Sequence, residues 1–222
     1  MKKSLVCFFF ALSVGAYAQD ADRYVNAMQV NVSRLDTTGE KKGFIALANN
    51  FERIALAEKD KWLPYYYAGF CLLDVISKEK DLNEIDRQAD RAEQLLNSAD
   101  ALSPNNADVY ALRSNLLYAK IVVDVMKRGP SLAPKAESLL RRAAEIDPEN
   151  PRVNLLIAQI KLFSPEGMGG DRKMACRLAD KVMAAYQNLA TNDINPHWGK
   201  EAAEDLVKRC TKLTNQTPES GK

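Results

Sequence analysis

The chain has 222 residues, 46% of them apolar and 27% charged, with 31 Lys and Arg against 29 Asp and Glu. That is enough apolar material for a core, and a near-neutral chain with interspersed signs carries no electrostatic footprint for nucleic acid or anionic lipid. A single histidine excludes a His-rich metal site.

The first eighteen residues, MKKSLVCFFFALSVGAYA, read as a secretory signal peptide. Lys2 and Lys3 precede an apolar run from Leu5 to Ala16, and Ala16-Tyr17-Ala18 is a small-x-small cleavage site. The run is too short for a membrane span. Cys7 lies inside it rather than at the cleavage junction, so no lipid anchor is expected. Cleavage between Ala18 and Gln19 exports the chain to the periplasm or beyond. Removing Lys2 and Lys3 from the 31 basic residues leaves 29, equal to the 29 acids.

Beyond the signal, apolar residues at helical spacing predict helices at 22–35, 42–57, 62–77, 84–101, 107–127, 134–146, 151–163, 172–187 and 198–213. Strand-like alternation is absent, and the nine prolines fall mainly between helical patterns. The fold class is therefore all-α, about nine helices, read as four pairs and one leftover over residues 19–213. No linker divides them, and the polar stretch 214–222, TNQTPESGK, reads as a flexible tail.

The joint RRAAEIDPENPRVNLL, Arg141 to Leu156, explains how one helix gives way to the next. Pro148 cannot continue a helix and disfavours helical backbone before it, whereas Pro151 suits a first helical turn behind the N-cap Asn150. The joint recurs. At an offset of 44, Ala92 to Leu112 matches Ala136 to Leu156 at nine of twenty-one positions, among them Leu96 with Leu140, Pro104 with Pro148 and Asn106 with Asn150. The same offset backwards reaches Ala48, Phe51 and Ala55, with Asp60 where the later copies carry Pro.

These residues resemble the tetratricopeptide repeat (TPR), a helix-turn-helix unit of about 34 residues. The small-large-small run before Pro carries the resemblance, as Ala92, Leu96, Ala99, Pro104 and again as Ala136, Leu140, Ala143, Pro148. Ten extra residues fall between Pro104 and Ala136, around KRGPSLAPK, where Gly129, Pro130 and Pro134 are expected to break helices. The resemblance implies a short TPR-like solenoid of helical hairpins and a protein-binding module, with no particular activity. Three runs also resemble those of secreted bacterial TPR proteins of the Bacteroidota type, whose function is unassigned: Asn150 to Val153, Ser164 to Gly170 and Pro196 to Gly199. They imply a cell-envelope address.

Candidate site residues follow from helix phase. Tyr67, Tyr110, Arg113, Ser114, Tyr118, Asn154 and Gln159 are expected to line a concave groove that binds a peptide or partner protein. A C-terminal-carboxylate clamp is excluded: Asn115 is near such a position, but Ala111, Leu155 and Gln159 are not its partners. In KWLPYYYAGF, Lys61 to Phe70, part of the aromatic cluster must be core, and Tyr65, Tyr67, Tyr110 and Tyr118 compete for groove positions. Three glycines ahead of a helix in SPEGMGGDRK, Ser164 to Lys173, raise an anion-binding reading against an enlarged turn capped by Asp171. His197, beside Trp198 in NPHWGKE, reads as a packing or capping residue. Cys176 and Cys210 stand at similar heights on an antiparallel helix pair, which permits a disulfide, and Cys71 reads as a buried thiol. Neither catalytic residue, metal site nor cofactor is expected, and the oligomeric state is open. The functional expectation is an exported scaffold or assembly factor of the cell envelope. The alternatives are a small-molecule-binding protein using the Ser164 to Gly170 loop and a structural subunit that stacks on itself.

Overall fold

Asparagines set the two best-defined joints. Asn106 accepts hydrogen bonds from the Asp108 and Val109 amides, and Asn150 accepts them from Arg152 and Val153, so each cap satisfies donors that a bare helix start leaves open. The computed structural model describes residues 22–189 and 193–216, which hold nine α-helices and no strand. The signal-peptide and cleavage-site expectations, and most of the expected tail, lie outside the described residues.

In chain order the helices are α1 over 22–35, α2 Lys41–Ala57, α3 Trp62–Ser77, α4 Leu82–Leu102, α5 Ala107–Val123, α6 Val125–Ile146, α7 Pro151–Phe163, α8 Arg172–Gln187 and α9 Lys200–Gln216. A 3-10 turn, Glu166–Met168, interrupts the loop before α8. Chain neighbours pack as hairpins, and α3, α5, α7 and α9 also touch in succession, forming one layer that the other helices back. This is the all-α hairpin architecture expected from the sequence.

One boundary is corrected. Residues 128–133 are not a break between helices: α5 ends at Val123 instead of 127, and α6 starts at Val125 and runs through both Pro130 and Pro134. The chain reverses on Asp124 alone, whose carboxylate accepts from the Lys127 amide at 3.0 Å. Arg128 then fastens the first turn to α4 with two bonds to Asp86, at 2.5 and 2.7 Å. Both prolines face solvent, where water takes the carbonyls that their missing N–H groups leave free. The ten extra residues thus lengthen a helix instead of looping out.

Three apolar clusters make the core. The largest joins α1 to α5 around Phe51, Tyr66, Tyr67, Leu72 and Leu96; a second lies between α5, α6 and α7; the third joins α7, α8 and α9. Gly69 lets α3 approach α4, since a Cβ there would come within 2.8 Å of Leu96. Cys176 of α8 and Cys210 of α9 form a disulfide with an S–S distance of 2.05 Å, and Cys71 is a buried free thiol.

Candidate ligand-binding groove

The segment between α8 and α9 organises the site. A helix was expected from 198, and α9 begins at Lys200; position 195, at the offset of 44 from Pro151, lies outside any helix. Residues 193–199 instead run as a strap against the first-layer helices. Tyr67 of α3 donates to the Ile194 carbonyl at 3.0 Å, and Arg152 of α7 donates to the Pro196 carbonyl at 2.6 Å. Tyr186 of α8 donates to the Trp198 carbonyl at 2.9 Å, and the Trp198 indole N–H donates to the Tyr66 hydroxyl at 2.8 Å. Gly199 closes the strap with φ +109°, and a Cβ there would lie 2.3 Å from the Tyr186 hydroxyl.

Arg152 is the hub. Its side chain is 7% exposed, and besides Pro196 it holds the Asp108 carboxylate of α5 through Nε at 2.5 Å and a terminal nitrogen at 3.2 Å. Burial works against its charge, but the Asp108 bonds and charge outweigh that and raise its pKa above the ordinary value. Burial likewise drives Tyr66, Tyr67 and Tyr186 well above the usual phenol range, so all three remain neutral donors and acceptors. Asp108, Arg152 and Pro196 stand 44 residues apart in succession, so the chain of bonds follows the sequence repeat.

Against this strap lies a cavity of about 640 Å³. Its apolar wall comprises Leu35, Phe44, Phe70, Leu73, Leu155, Leu156 and Trp198, and Phe70 and Trp198 stack with ring centroids 4.9 Å apart. Asp36, Asp74, Glu201, His197 and Lys200 supply the charged or titratable groups. Burial pushes the Asp74 carboxyl up, with Lys78 pulling it down from 3.7 Å away. The His197 side chain is 7% exposed, with Nδ1 3.1 Å from the Asn195 carbonyl and Nε2 3.5 Å from Asp36. Asn115, Leu156 and Gln159 also border a second compartment of about 260 Å³, completed by Ser114, Tyr118, Ile160, Phe163 and Ser164. Phe163 is 62% exposed and carries the Arg209 guanidinium 5.6 Å from its ring centre. No cluster of three or more His, Cys, Asp or Glu suited to a metal ion occurs among the described residues.

The sequence-predicted residues divide. Ser114, Tyr118 and Gln159 meet on the smaller compartment, although Ser114 is buried and its hydroxyl donates to the Ala136 carbonyl at 2.8 Å. Tyr67 is buried in the core, stacked on Phe51, with its hydroxyl committed to the strap. Tyr110 packs on the cluster between α5, α6 and α7, and Arg113 turns away to pair with Asp100 of α4. Asn154 is buried, its amide donating to the Pro148 carbonyl at 2.9 Å. His197 and Trp198 do not open a helix; they belong to the strap. Phe44, Phe70, Leu155 and Trp198 were missed, and only the Trp-Gly pair in NPHWGKE signalled anything unusual.

In the loop Ser164 to Gly170, two of the three glycine amides are spent within the loop. Gly169 donates to Glu166, Gly170 to Pro165 and Asp171 to Lys161, while the Lys161 ammonium donates to the Gly169 carbonyl. Asp171 caps α8 by accepting from Met174 at 2.8 Å. An anion nest needs converging free N–H groups, and these are turned inward; only Ser164 reaches the groove.

No family model matches the chain, the repeat family included, and no curated protein matches it. Among solved structures it is similar to the HusA haemophore from Porphyromonas gingivalis, at 28% identity and a TM-score of 0.76. The likeness covers 89% of this chain and 96% of that one.

Proposed function

We propose that this chain is an exported carrier that takes a haem-type tetrapyrrole into the groove beside the strap. The observation that carries the reading is the likeness to a haemophore along nearly the whole chain. The site is compatible in size and chemistry. Small-molecule sites typically enclose roughly 300–1,000 Å³ behind mostly apolar walls with a few placed polar groups, and the larger compartment, at about 640 Å³, falls in that range. Phe70 and Trp198 offer aromatic surface to a conjugated ring, with Leu155 and Leu156 behind them in the apolar wall. Lys200, at the first turn of α9, sits at the positive end of that helix and suits the ring's carboxylates, whereas Asp36, Asp74 and Glu201 carry charge that opposes them.

The expectation of a peptide-binding scaffold gains no support from the haemophore likeness. An extended peptide would have to cross α3 and α7, and residues 193–199 already run there, bonded to Tyr67 and Arg152. The small-molecule alternative stands, moved from the Ser164 to Gly170 loop to the cavity beside the strap. No described helix is long and apolar enough to cross a membrane.

Titrating haemin into the chain from Gln19 onward tests the reading. Saturable, stoichiometric growth of a Soret band distinct from that of free haemin is expected, with a rise in Tm because the ligand binds only the folded state. A spectrum that stays the sum of free haemin and protein, with Tm unmoved, would contradict it.

A further inference from the structure

We infer that the stacked pair Phe70 and Trp198 is the surface on which the ligand ring lies, and that Arg152 is the residue that positions it. The inference rests on the tetrapyrrole reading and names which residues recognise the ring. Three observations carry it.

The pair borders the larger cavity, and both rings are only partly buried although the tyrosines beside them are fully enclosed. Stacking at 4.9 Å covers one face of each ring and holds both in place, so the outer face of the stack is a rigid apolar plate that a flat conjugated ring can extend better than a flexible chain can. Trp198 also packs against both the α1–α5 cluster and the α7–α9 cluster, so its ring spans the seam between the two halves.

The orientation of the indole is over-determined. Its N–H is held by the Tyr66 hydroxyl and its backbone carbonyl by the Tyr186 hydroxyl. A side chain already locked in its working rotamer loses little freedom when a ligand arrives, and so favours binding.

The strap that carries Trp198 is placed by a buried charge. Arg152 bridges the Asp108 carboxylate of α5 and the Pro196 carbonyl two residues before Trp198. Asn150 adds its amide to Asp108 at 3.3 Å, so the cap of α7 joins the same network. A buried guanidinium with one face on a carboxylate and another on a strap carbonyl costs desolvation that an apolar residue would avoid. What it supplies is a fixed strap position, transmitted from α5 through α7. Arg152 does not border the cavity, so its part is positioning and not contact.

Haemin titrations of the chain from Gln19 onward, followed by Soret absorbance and Soret circular dichroism, test this. Trp198→Ala is expected to weaken haemin at least tenfold, while Trp198→Phe, which keeps an aromatic face, stays within about threefold of the parent. Arg152→Met is expected to weaken binding about tenfold and to shrink the Soret dichroism, which reports a fixed ring orientation. Arg152→Lys restores much of both, since it keeps a cation that can bond Asp108 or Pro196. Tyr66→Phe removes only the indole anchor, and a three- to fivefold loss with reduced dichroism is expected. Trp198→Ala binding within twofold of the parent overturns the ring-platform inference. Arg152→Met, or failing that Asp108→Asn, which loosens the guanidinium's anchor, leaving affinity and dichroism unchanged overturns the positioning inference, and the same result from Tyr66→Phe overturns the part given to the indole anchor. Failure of the parent chain to bind haemin overturns the tetrapyrrole reading itself, which separates the two.

Discussion

At the scale of single residues, the groove wall holds one group whose ionisation opposes folding. Asp74 borders the cavity, and burial raises its pKa above the ordinary 3.8 despite Lys78. A carboxyl raised on folding contributes stability that is full below its unfolded pKa and is lost as pH rises through the folded value. Asp74→Asn should therefore raise Tm at neutral pH, with the gap closing as pH falls toward 4, as thermal melts across pH would show. The same substitution removes a negative charge from the cavity and should tighten haemin, whose carboxylates it repels. Equal Tm at neutral pH in parent and variant would contradict the burial argument. Residue-level foresight was uneven for a related reason: Arg113 and Asn154 are polar and sit on the expected helices, yet they satisfy Asp100 and the Pro148 carbonyl. Sequence phase gives a direction of projection and not the partner waiting there.

Helices were the most legible elements. Periodicity and capped joints located α3, α7, α8 and the start of α5 closely, because caps such as Asn106, Asn150 and Asp171 act within a few residues. The α5–α6 boundary was not legible, since Pro130 and Pro134 signal a break that tertiary contacts override: Asp86 holds Arg128, and Ser114 holds the Ala136 carbonyl. Interior prolines still cost a helix roughly 3 kcal/mol each by host–guest measurement. Pro134→Ala, at an exposed position inside α6, should thus stabilise the protein by about 1–3 kcal/mol. For a chain of this size that corresponds to a Tm higher by roughly 2–12 °C. An unchanged or lowered Tm would mean that the first turns of α6 open independently of the rest. The disulfide is the other element-scale tie. It joins α8 to α9 across the segment that contains the strap, so the hairpin carrying Trp198 is closed covalently at one end and by Arg152 at the other.

At the scale of the molecule, the sequence repeat and the site are one feature seen twice. The offset of 44 that matches Pro104 to Pro148 also spaces Asp108, Arg152 and Pro196, the residues that bond α5 to α7 and α7 to the strap. All-α hairpins were readable from that repeat. The groove was not, because it depends on where the repeat fails: residues 193–199 leave the helical path, and bonds spanning 127 and 132 residues, from Tyr67 to Ile194 and from Trp198 to Tyr66, fix their course. No local pattern encodes contacts at that separation. Peptide binding was the natural expectation for a helical-hairpin protein; the likeness to a haemophore is what turns the proposal to a small ligand, and the strap marks the cavity proposed for it.

The most direct measurement is an amide NMR titration of the isotopically labelled chain with zinc protoporphyrin, a diamagnetic stand-in for haem. The ring current of a porphyrin seated beside the strap should give the largest shifts at the Trp198 indole N–H and the amides of Phe70, Leu156, Gln159 and Lys200. Val122 to Met126, at the exposed corner between α5 and α6, should stay in place. Largest shifts at that corner or within Ser164 to Asp171, with the Trp198 indole unmoved, would contradict the assignment of the groove.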